Sequence, residues 1–311
     1  MEINVIINQL IILFLLIGIG FILRKAKIMG DAIDSGITRL IIYCTMPAMV
    51  LNSVLSRVGE RDVTLVIKFI IIAIAMYTVL PIIAFIIAKV LRIPRNIKGI
   101  YQYLIIFANV GFMGFPLIGA IFGPDSILYA GIFNMFFNLL AYSYGVLIVA
   151  KDSAKEDVKF NLNWKTFLSP GISVSVLALI LFFINASVPS IIGEVVAYVG
   201  NVTTPLAMMI IGSTLAKMNP KEVFADLRVY VFVLVRSIAL PLLLFPLLKL
   251  LIKDDFALQV TFIMLAMPAA STSVLYAKEY GSDEKFAARC VFVSTLFSIL
   301  TIPLLLLICF K

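Results

Sequence analysis

The chain of 311 residues contains no histidine, and so lacks the commonest general base, metal ligand and physiological-pH switch. Its three cysteines, Cys44, Cys290 and Cys309, lie in apolar stretches without short spacing, so neither a zinc site nor a disulfide framework is expected. Charge is also scarce: 14% of residues are Asp, Glu, Lys or Arg, against about a quarter in soluble domains. No carboxylate stands deep in an apolar run, which leaves no proton relay and no charged sodium ligand to name. Without a phosphate loop or a buried carboxylate pair, the constellations on which catalysis would rest are missing. The expectation is a protein that is not an enzyme and carries no metal or cofactor.

What is abundant is apolar surface, at 62% of residues. Ten runs are long enough to cross a hydrocarbon core of about 30 Å as helices of about 20 residues: 3–23, 36–55, 66–91, 99–121, 127–149, 169–187, 192–216, 229–252, 257–277 and 287–310. The alternating pattern of a barrel is absent, and lipid tolerates no unpaired backbone, so the expected class is an all-α polytopic membrane protein. Only Met1 and Glu2 precede the first run, without the basic region of a signal peptide, so this helix is expected to be retained.

The net charge of +8 is a topology signal and calls for no nucleic acid. If the N-terminus is outside, the inner loops hold Arg24, Lys25, Lys27; Lys89, Arg92, Arg95, Lys98; Lys151, Lys155, Lys159, Lys165; Lys217, Lys221, Arg228; and Lys278, Lys285, Arg289. The outer side then holds Arg57, Arg61, Lys249, Lys253 and Lys311. Basic residues stay on the cytoplasmic side. Both termini are therefore expected to be extracytoplasmic, in the cell membrane.

One sequence offset recurs. Adding 158 takes Thr45 and Pro47 to Thr203 and Pro205, Ala108 to Ala266, Gly123 to Gly281 and Asp125 to Asp283. Each half would contain five spans, an odd number, so the second copy enters the membrane from the opposite side, as in inverted-repeat transporters. The expected division is 1–150 for the first repeat, a polar cytoplasmic linker over 151–168, and 169–311 for the second.

Within the fourth span, "ANVGFMGFP" places Asn109, Gly111, Gly114 and Pro116 in the middle of an apolar run; Pro268 occupies the corresponding part of the ninth. Proline and glycine weaken the helical ladder, so both spans are expected to break at mid-membrane, the ninth resuming near Ala269. The start of each second half would present free N–H groups and a positive dipole end, which suit an anion. Asn109 adds an amide, and Ser271, Thr272 and Ser273 add hydroxyls. The competing reading, a glycine packing face, leaves Asn109 unexplained.

At these residues the chain resembles the auxin efflux carrier family, which includes plant PIN-type carriers and bacterial organic-acid carriers. The resemblance rests on "NVGFMGFPL" (109–117), "MPAASTSVLYAKEYG" (267–281), "ITRL" (37–40) and Pro47, and extends over nearly the whole chain. It implies ten transmembrane helices as two inverted five-helix repeats with helices 4 and 9 crossed, the fold shared with bile-acid symporters. It further implies a scaffold from helices 1, 2, 6 and 7, a transport domain from helices 3–5 and 8–10, elevator-type alternating access and a homodimer. Asn109 matches the family's carboxylate-binding asparagine and Pro268 its second crossover proline. Unlike plant members, this chain has no charge in "IIIAIAMYTVLP" (70–81) and only a short central linker, as in bacterial members.

Asn134 and Asn138 lie four apart on one face of the fifth span, either lining the substrate path or bonding between helices. Gln102 and Gln259, near span starts, are expected at the interface. Arg236, about 10 Å inside the eighth span, is expected to snorkel to the headgroups. Lys278 and Glu279 close the ninth span, with Gly281 as its C-cap. The function expected is a secondary transporter of a small organic anion, a carboxylate, its site drawn from Asn109, Gly111, Pro116, Asn134, Asn138, Pro268, Ala269, Ser271, Thr272 and Ser273. The alternative is a sodium-coupled organic-anion symporter of the bile-acid type.

Overall fold

In the computed structural model, residues 3–55, 62–152, 170–186, 188–217, 223 and 226–310 are described. The central linker beyond Asp152, with Lys155, Lys159 and Lys165, lies outside them, as do Met1, Glu2, Arg57, Arg61, Lys221 and Lys311. In chain order the helices are α1 (Ile3–Lys25), α2 (Asp31–Leu55), α3 (Val63–Val90), α4 (Arg95–Ile106), α5 (Val110–Phe122), α6 (Pro124–Ala150), α7 (Pro170–Phe183), α8 (Ser190–Ala216), α9 (Leu227–Leu251), α10 (Asp255–Ala266), α11 (Thr272–Tyr280) and α12 (Glu284–Cys309).

Among the described residues seven helices are long and apolar enough to cross a membrane: α2, α3, α6, α8, α9, α12 and, within α1, Ile7–Lys25. Three of the ten expected spans take another form. The fourth is divided between α4 and α5, the ninth between α10 and α11, and the sixth is the short α7.

Both faces of α3 are largely apolar, as a helix between protein and lipid requires. On α3, Val66, Phe69, Ala73, Tyr77, Leu80 and Ala84 turn inward at helical spacing while Ile67, Ile71, Ile74, Ile82 and Phe85 are exposed. Pro81, Pro246 and Pro303 sit inside unbroken helices, so a proline alone does not interrupt a span here. π-Helical turns lie at Ile41–Thr45, Val110–Gly114, Ala141–Gly145 and Val235–Ala239.

The chain forms two compact units. The first comprises Met1–Ile67, Gly111–Met135 and Ser169–Asn219. Here α1 and the second half of α8 meet backbone to backbone: a methyl on Gly20 would lie 2.1 Å from the Met209 carbonyl oxygen, and a methyl on Gly212 would lie 1.9 Å from that of Ile17. Only small residues permit such an approach. At one end of these helices the buried carboxylate of Asp34 accepts from Arg24 at 3.2 Å and Ser213 at 2.7 Å and pairs with Lys217 at 3.0 Å. Arg24 and Lys217, both assigned to inner loops by charge, thus share one carboxylate.

The second unit comprises Lys68–Val110, Phe136–Leu168 and Pro220–Lys311. Helices α10 and α12 start on carboxylate caps: Asp254 accepts from the N–H of Ala257, and Asp283 from that of Phe286, each at 2.9 Å. Gly281 adopts φ 75°, the left-handed C-cap expected of it. Beyond the end of α6, Asp152 accepts from the N–H groups of Gly99 and Ile100 at 2.6 and 2.8 Å and from Ser282 Oγ at 2.7 Å. One carboxylate therefore ties the beginning of α4 to the end of α11.

Candidate functional site

The interruptions in the fourth and ninth spans meet inside the second unit. α4 ends at Ile106 and Phe107 turns extended, at φ −99° and ψ 106°; α10 ends at Ala266 and Met267 does likewise, at φ −58° and ψ 146°. The two extended pieces pair as an isolated antiparallel bridge between Ala108 and Ala269. Asn109 N–H donates to the Pro268 carbonyl at 2.8 Å, and Ala270 N–H to the Phe107 carbonyl at 3.0 Å. Backbone groups released from both helices thus satisfy each other, as a water-free interior requires.

A continuous ninth helix would have joined the Ala269 N–H to the Leu265 carbonyl. Instead the Ala269 N–H donates to Ser294 Oγ on α12 at 3.2 Å, while the Leu265 carbonyl accepts from Arg236 Nη1 on α9 at 2.7 Å. Two side chains from two other helices substitute for one lost backbone bond. After the break, Ser273 Oγ donates to the Ala270 carbonyl at 2.7 Å, and Thr272 Oγ1 lies 3.0 Å from the Tyr103 hydroxyl. Around this point stand Tyr77, Tyr103, Phe107, Phe137 and Tyr276, with Phe107 4.4 Å centre to centre from Tyr103 and 5.4 Å from Phe137.

Several expectations need correction. The fourth span breaks at Phe107–Asn109, before the glycines; Val110–Gly114 is a π turn, and Pro116 follows it within α5, past the break. The ninth resumes at Thr272, later than Ala269, because Ala269 and Ala270 are occupied by pairing with the fourth span. Arg236 does not snorkel: it is wholly buried and held on a backbone carbonyl. Gln102 is buried, at 6% exposure, and Gln259 is half-buried.

Of the candidate residues, Asn109, Asn138, Pro268, Ala269, Ser271, Thr272 and Ser273 belong to the second unit, and Gly111, Pro116 and Asn134 to the first. Asn109 and Asn134 are buried, Asn138 is half-buried and Ser271 is exposed. A methyl on Gly111 would touch Met46 at 3.5 Å and Asn134 Oδ1 at 3.7 Å, ordinary contacts that leave room for a side chain. Sequence reading missed Ser294 and Tyr103, whose roles depend on which helix passes the break. Among the described residues no three Cys, Asp or Glu side chains gather as metal ligands.

A family described as "Membrane transport protein" matches residues 5–306. The chain belongs to this family, in keeping with its resemblance to the auxin efflux carriers. It is 22% identical over 305 residues to an uncharacterized transporter of Methanocaldococcus jannaschii, covering 96% of each chain. It is 24% identical over 295 residues to another of Methanothermobacter thermautotrophicus, covering 93% of each. Membership of a transport family agrees with the multi-pass helices and with the poverty of catalytic residues.

Proposed function

We propose that the protein is a carrier that moves a small organic anion, a carboxylate, across the cell membrane by elevator-type alternating access. The observation that carries this reading is the Ala108–Ala269 bridge, which brings Asn109 next to the interruption that precedes α11. The first turn of a helix has N–H groups without intrahelical partners and a partial positive charge, and an amide beside it supplies a further donor. A carboxylate gains from both, whereas a cation is repelled by the helix end.

The wider architecture is part of the same proposal: ten membrane passages as two inverted repeats, both termini outside, and two copies in the assembly. The sparse offset of 158 residues supports the repeats. The two compact units support a division between a scaffold and a moving part, with the departure that residues 111–135 pack with the first unit. The test is a thermal-shift screen of organic acids on purified protein, followed by counterflow of the best binder in proteoliposomes with and without sodium. Saturable, trans-stimulated flux of a carboxylate supports the carrier. Strict sodium dependence turns the reading to a symporter, and displacement by organic cations alone rejects it.

A further inference from the structure

Arg236 lies wholly buried in the second unit, on the π turn Val235–Ala239. Its Nη1 holds the Leu265 carbonyl, but its Nε is buried without a hydrogen-bond partner. The hydroxyls of Ser237 beside it and of Thr261, one turn before Leu265 on α10, are likewise buried and unpartnered. A carbonyl carries no compensating charge, and among the described residues no ion pair involves Arg236. A buried cation without a counter-charge is costly, and such residues in membrane spans mark ion or substrate paths. Its position ties it to the interruption: Leu265 is the residue whose helical partner, Ala269, has left to form the bridge beside Asn109.

Resting on the carrier reading above, we propose that Arg236 is the fixed counter-charge of the substrate site and selects a small anion with a single negative charge. The charge acts over distance, since Coulomb attraction falls only inversely with separation and is little screened away from water. It acts on the same side of the balance as the start of α11, a helix of 9 residues. With the anion bound, the second unit loses its uncompensated charge.

The experiment measures binding of benzoate, pyruvate, malonate and malate to the purified full-length protein by isothermal titration, with benzamide as the uncharged analogue of benzoate. Benzoate or pyruvate is expected to bind the wild type, benzamide not. Arg236→Gln is expected to lose about tenfold or more of that affinity, the order of one charge–charge attraction across a protein interior. Arg236→Lys, which keeps the charge but not the fork, is expected to stay within about fivefold. Should Arg236→Gln fail to fold, Thr261→Asp places a resident carboxylate one turn from the carbonyl that Arg236 holds. It is expected to lower anion affinity by about tenfold or more, with Thr261→Asn as the neutral control that does not. Unchanged affinity in Arg236→Gln or in Thr261→Asp overturns the assignment of Arg236 alone. Binding of malonate or malate with neither monocarboxylate overturns the single-charge selection. No binding of any carboxylate to the wild type overturns the carrier reading and this inference with it.

Discussion

The two interruptions that meet at Ala108 and Ala269 differ in how they are made. The segment from Phe107 to Asn109 contains neither proline nor glycine, and its backbone is satisfied by the opposite strand. The segment from Met267 to Ser271 contains Pro268 and also draws Arg236 and Ser294 from neighbouring helices. Three other prolines lie in helices that continue through them. The difference teaches that a span breaks where its freed backbone groups find partners, and that a breaker residue neither suffices nor is required.

The largest effect is expected from the support of the first interruption. A methyl on Gly99 would lie 1.8 Å from the Ile148 carbonyl oxygen, backbone against backbone, so Gly99→Ala is expected to cost about 3 kcal/mol or more and shift α4. Gly111→Ala, with only ordinary contacts, is expected to stay within about 1 kcal/mol. Equal melting temperatures for the two variants would remove the contrast between them. Asn109→Ala comes next: at unchanged expression and folding, loss of an amide donor to a carboxylate is expected to weaken binding by about 1.5–3 kcal/mol, tenfold or more. Wild-type flux in that variant would reduce Asn109 to a packing residue.

At the second interruption, Ser294→Ala leaves the buried Ala269 N–H unpaired and is expected to cost about 1–3 kcal/mol. Pro268→Ala, by contrast, is expected to change stability by less than about 1 kcal/mol, because the pairing and not the ring holds the break open. The double variant distinguishes the two: if Ser294→Ala costs nothing once Pro268 is replaced by Ala, the Ala269 N–H has returned to the Leu265 carbonyl and proline alone had kept the segment apart. The smallest effect concerns Asp152. Burial raises its carboxyl above the ordinary value, outweighing the Gly99 and Ile100 N–H groups and the Ser282 hydroxyl, which lower it. The folded state then binds more protons than the unfolded chain between the unfolded value near about 3.9 and the raised one, so stability falls as pH rises through that window. The melting temperature of wild type is expected to decline slightly there, and that of Asp152→Asn to stay flat. An equal decline in both would assign the dependence to other groups.

How much of this was legible in the sequence follows from the same contrast. The membrane class was legible from length and apolar runs, and Pro268 and Asn109 both stand at the interruption. The exact place of the first break was not, because Phe107, Ala108 and Asn109 carry no local signal; their extended form depends on a strand about 160 residues away. Depth along a span located Arg236, but the direction a long side chain takes depends on what lies beside its helix, here the carbonyl left by the break. Ser294 was invisible for the same reason: a serine in an apolar helix becomes a partner only when another helix presents it with a donor.

The reciprocal contact of Gly20 and Gly212 has a consequence for how the molecule is made. These glycines are about 190 residues apart, and at about 5–20 residues per second of synthesis the partner of α1 appears some 10–40 s after α1 itself. Throughout that interval the first helix must rest in the bilayer with its groove at Gly20 filled by lipid. The tightest contact of the first unit is therefore among the last to form, and a ribosome stalled midway leaves α1 without the surface that locks it.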